Sequence, residues 1–77
     1  MKISHYITQA LRKKAESEKA QAIAALEILL NNPSGIGEHT ADGLFEDAEK
    51  SLEMLSNADG KLEILDKYFS GKEVLNG

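Results

Sequence analysis

One interruption decides what this chain can become. Residues 31–43, NNPSGIGEHTADG, hold its only proline and three of its six glycines, and they separate two long segments that are otherwise built from helix formers. The residue before a proline avoids the helical region, and proline cannot continue the hydrogen-bond ladder. A chain of this kind must therefore end one helix and begin another. The first segment contains TQALRKKAESEKAQAIAALEILL, without glycine or proline, and reads as a helix over about 4–31 with Ser4 as its N-cap. Its apolar residues Ile3, Ile7, Ala10 or Leu11, Ala15, Ala22, Leu26 and Leu29 recur at steps of three and four. The second helix should run over about 42–69, capped by Thr40 or Asp42 and ended by Gly71. Leu44, Phe45, Ala48, Leu52, Leu55, Ala58, Leu62, Leu65 and Phe69 form its apolar seam, heptad-like from Ala48 onward. The pairs Arg12–Glu16, Lys14–Glu18, Glu46–Lys50 and Glu63–Lys67 have the i,i+4 spacing that supports a helix surface.

The stretch SNADGK, 56–61, tests this reading. Asn57, Asp59 and Gly60 are poor helix residues, and glycine alone costs about 1 kcal/mol relative to alanine. The apolar phase nevertheless runs unbroken from Leu55 through Ala58 to Leu62. A turn would reset it, so one continuous helix is preferred over two short ones. Two helices of about 28 residues, each ~42 Å long, joined by a connection at 32–41 and followed by a tail at 70–77, make an all-α antiparallel two-helix hairpin spanning 1–77 as a single domain.

A hairpin alone does not use all of this apolar surface. A single partner covers only a narrow stripe, whereas here the apolar arc approaches half of each helix. A chain of 77 residues is also marginal without help, and with no cysteine neither disulfides nor thiolate metal sites supply it. The remaining aid is association. The expected assembly is a homodimer of two hairpins in a four-helix bundle, its interface formed by Ile23, Leu26, Leu30, Leu52, Leu55, Leu62, Leu65 and Phe69. Alanines at 10, 15, 20, 22, 24 and 25 would permit close helix approach.

Charge narrows the choice of partner. Residues 1–20 carry Lys2, Arg12, Lys13, Lys14 and Lys19 against Glu16 and Glu18, net +3, and residues 21–77 carry net −7. The total of −4 argues against non-specific nucleic-acid binding, which depends on neutralising phosphates. The run LRKKAESEK keeps an accessory role on nucleic acid open as an alternative, although it lacks the aromatics that stack on bases. No apolar run approaches the roughly 20 residues of a membrane span, and the N-terminus MKISHYITQALRKK lacks the apolar core of a secretory signal. The expectation is a cytoplasmic protein without a membrane association.

Catalytic chemistry finds little support. No cysteine nucleophile is present, and no Ser–His–acid set can be argued from spacing. His5 and His39 fit no H-x-x-x-H, H-E-x-x-H or E-x-x-H pattern, so neither a metal nor another cofactor is expected. Gly35 and Gly37 beside His39 and Thr40 resemble an anion nest, but a lone G-x-G is better read as turn chemistry ending in a helix cap. The expectation is a non-enzymatic interaction or structural protein.

The pieces NNPSGIGEHTADG and ADGKLEILDKYF resemble segments of small uncharacterised helical proteins of tailed bacteriophages, marine and cyanobacterial ones among them. The likeness is carried by Asn32, Pro33, Gly35, Gly37, Glu38, His39 and the ending Lys67, Tyr68, Phe69. It implies a phage origin, a helical hairpin and a life in the host cytoplasm, with a host or phage protein as a partner. It implies no activity and transfers no catalytic residue.

Overall fold

A computed structural model describes residues 3–31 and 41–70. Two helices account for them: α1, Ile3–Asn31, and α2, Ala41–Phe69, each of 29 residues. They pack antiparallel with an axial stagger into a rod of 54 × 18 × 15 Å, longer than the ~44 Å of either helix alone. The radius of gyration, 16.9 Å, compares with about 11.5 Å for a compact globule of this length.

α1 ends at Asn31, immediately before the Asn-Pro step that forbids its continuation. At its start the helix already includes Ile3, so Ser4 stands inside the first turn instead of capping it. The Ser4 and His5 carbonyls both accept a hydrogen bond from Thr8 Oγ1 at 3.0 Å. α2 carries Asp42 in its first turn and Lys67 in its last, each with the sign that the helix dipole favours. It runs through Gly60 without a break. A Cβ built at Gly60 meets nothing within 4 Å, so the glycine is neither a hinge nor a close-approach position. The expected cap Thr40, the Gly35–Gly37 nest, His39 and the tail residues Val74 and Leu75 lie outside the described residues.

The seam between the helices is narrow and built largely from alanine. Among the described residues, Ala15 and Ala22 of α1 and Ala58 and Leu65 of α2 are the buried hydrophobics, all 7 % exposed or less. Each pair is seven residues apart, the repeat that keeps one line of a helix against an antiparallel neighbour. The same lines continue half-buried through Thr8 and Leu29 in α1 and through Leu44 and Ser51 in α2. With methyl groups at the centre the backbones can approach closely, but little apolar surface is removed from water.

Three ion pairs fix the register. Arg12 Nη1 lies 2.6 Å from Asp66 Oδ1, Lys19 Nζ 3.0 Å from Asp59 Oδ1, and Lys61 Nζ 3.3 Å from Glu18 Oε1. All three cross between the helices. Arg12 and Glu18, whose spacing suggested partners within α1, instead reach to α2. The pairs are partly solvated, so each contributes roughly 0–1 kcal/mol; their value lies in alignment.

Candidate functional site

The ion pairs divide the rod into two long sides. On one side are Arg12–Asp66 and Lys19–Asp59; Glu18–Lys61 lies on the other. In α1, Arg12, Lys19 and Leu26 follow one another every seventh residue. In α2 the matching line is Asp66, Asp59, Leu52 and Phe45. The same two lines are thus charged and paired toward the open end of the hairpin, and apolar toward the end where the helices are joined. Ile23 and Leu30 lie one turn from Lys19 and Leu26, while Ala48, Leu55, Leu62 and Phe69 flank the α2 line.

This arrangement gathers most of the residues expected at an interface. Ile23, Leu26, Leu30, Leu52, Leu55, Leu62 and Phe69 share this side. Leu65 does not: it is 7 % exposed and belongs to the seam inside the hairpin. Exposure is high where the side is apolar, with Ile23 at 37 %, Leu30 at 68 %, Phe45 at 65 % and Leu52 at 57 %. Phe45, which the sequence places beside the Leu52–Leu55–Leu62 line as surplus apolar surface, is among the most exposed apolar groups here. Its signal was its seven-residue step to Leu52, which carries the line away from the Ala58–Leu65 seam.

The opposite side is mixed. Ile7, Leu11, Ile28, Met54, Ile64 and Tyr68 are exposed along it, but Lys14, Glu18 and Lys61 interrupt them. Lys67 Nζ sits 5.3 Å from the centre of the Tyr68 ring, and Tyr68 meets Phe69 edge to face at 6.4 Å between centroids.

Charge is distributed unevenly along the rod. Among the described residues, the half nearest the joined end carries Glu27, Asp42, Glu46, Asp47, Glu49 and Glu53 against Lys50 alone, and the open half is close to neutral. The basic run of α1 is partly consumed, because Arg12 and Lys19 are each held by a carboxylate of α2. Lys13 and Lys14 are the exposed cations left in that run. Two lysines beside acidic neighbours give a weak footprint for a phosphate backbone.

Two surface depressions among the described residues are shallow and open to solvent. The larger depression is lined by Glu46, Glu49, Lys50, Leu52, Glu53 and Ser56, all on α2, and it opens to solvent along one helix. Among the described residues, no three of His, Asp and Glu come together as a metal-holding group, and no buried side-chain nitrogen or oxygen lacks a hydrogen bond. No described helix is long and apolar enough to cross a membrane. No family model, curated protein or solved structure matches this chain.

Proposed function

We propose that this chain is a small non-enzymatic interaction protein that works as a homodimer. Two hairpins pair through the apolar side to form a four-helix bundle, and the remaining surface docks on another protein. The observation that carries the reading is the imbalance between what the hairpin covers and what it leaves in water. Among the described residues, its seam buries three alanines and one leucine, while thirteen large hydrophobic side chains are at least 37 % exposed. Five of them, Ile23, Leu30, Phe45, Leu52 and Phe69, share one side with the half-buried Leu26, Leu55 and Leu62. Exposed contiguous apolar surface of this kind marks a contact site, and a chain this short gains from association the core it cannot build alone.

In the acidic half of the rod, Glu46, Asp47 and Glu53 are turned away from the apolar side and offer a charged surface to a basic partner. The likeness to phage proteins in the joining segment suggests a phage or host protein there.

The test is Leu52→Glu, which places a charge in the apolar side without touching the seam. Light scattering should report a fall from dimer mass to single-chain mass, with helical circular dichroism retained at low temperature. A natural protein that is already a folded single chain at micromolar concentration overturns the reading.

A further inference from the structure

The apolar side and the ion pairs together specify how a second copy sits. This inference rests on the homodimer reading above and adds the orientation. We propose that the two hairpins lie side by side with their joined ends together, related by a two-fold axis running along the rod. α1 of one copy then packs on α2 of the other, and all four neighbouring helix pairs in the bundle are antiparallel.

Layer-by-layer complementarity carries the argument. On the apolar side the open half presents a layer of Arg12 with Asp66 at 2.6 Å and a layer of Lys19 with Asp59 at 3.0 Å. When the joined ends coincide, each such layer meets its own two-fold copy. The four charges alternate around a square, so every cation stands beside two carboxylates, one from each chain. Toward the joined end the same rotation sets Leu26 over the second copy's Leu52, and Leu52 over its Leu26. In these three layers apolar meets apolar, and charge meets opposite charge.

The end-for-end alternative fails this match. It lays the apolar layers of each copy over the ion-paired layers of the other, which takes charges out of water without giving them a new partner. The proposed orientation does bring Glu27 near the second copy's Glu49, but both are exposed and such a contact is screened at physiological salt. The paired layers also act as a ruler. A slip of one heptad would put Lys19 and Asp59 against leucine, so the charges select register while the leucines supply affinity.

The chain exposes 6154 Å², whereas a compact monomer of 8.4 kDa exposes about 4,600 Å², a difference in keeping with the elongated shape of a hairpin that buries little of itself.

Spin-label distances decide the orientation. The chain has no cysteine, so Glu46→Cys, Glu53→Cys and Lys67→Cys each give one nitroxide per chain. The three positions lie on one line of α2, exposed and turned away from the apolar side. With the joined ends together, the three label-to-label separations in the dimer are equal. End-for-end pairing adds about 3 Å of axial offset for each residue moved from the two-fold axis, so its three axial offsets span about 20 Å or more. Equal separations support the proposal. Unequal separations in a sample of dimer mass overturn the orientation and leave the homodimer standing, and single-chain mass in the unlabelled protein overturns both.

Discussion

Replacing Gly60 by alanine should stabilise the protein, and the size of the gain follows from the structure. Gly60 sits in the interior of α2. Glycine there loses more backbone freedom on folding than alanine does, a difference of about 0.8–1.0 kcal/mol. The gain is realised only if the methyl group fits, and a Cβ at this position finds no atom within 4 Å. With an unfolding entropy of about 2.1 cal/mol/K per residue, a 77-residue chain converts ~1 kcal/mol into a rise of roughly 6 °C in Tm. Thermal unfolding followed by circular dichroism at 222 nm, with both proteins at the same concentration, measures it. An unchanged or lower Tm would refute the reasoning, since it would mean that residue 60 is not in a regular, open stretch of helix.

Two further outcomes follow from the seam and its flanks. Ala58→Leu pushes three carbons into the tightest point of the helix contact, where Ala58 is fully buried. Overpacking of this kind costs about 1–3 kcal/mol, seen as a lower urea midpoint with an unchanged far-ultraviolet spectrum at zero denaturant. Asp66→Asn weakens the 2.6 Å contact with Arg12, but in the isolated hairpin the pair is partly solvated, so the Tm of a dissociated sample should fall by no more than a few degrees.

Much of the hairpin was legible in the sequence because its signals are local. The Asn-Pro step marks the end of α1 at Asn31, and the unbroken phase from Leu55 through Ala58 to Leu62 predicts that α2 survives Gly60. What the sequence could not separate was seam from flank. Positions such as Leu62 and Leu65 differ by only about 60° around the helix, and both are leucine, yet Leu65 is buried in the seam and Leu62 faces the apolar side. The distinction comes from the exact angle at which the helices meet, which the interhelical ion pairs report. Those pairs were themselves hidden, because Arg12 and Glu18 have plausible partners one turn away in α1, and only the fold shows that Asp66 and Lys61 lie within reach.

Ser4 illustrates a different difficulty. A cap residue is recognised by its type, but helix ends shift by one or two residues without much energetic consequence, and here the helix begins one residue earlier. The candidate surface was legible in kind, as more apolar face than a hairpin can cover. Its location on a single side emerged only when the charged and apolar members of the same seven-residue lines could be seen to run together.

The central claim is that one hairpin does not cover its own apolar side and that a second copy does. Sedimentation equilibrium of the natural chain at micromolar concentration in physiological salt tests it most directly. The expected result is a particle of twice the 8.4 kDa chain mass that dissociates on dilution. A folded particle of single-chain mass throughout the concentration range would contradict it.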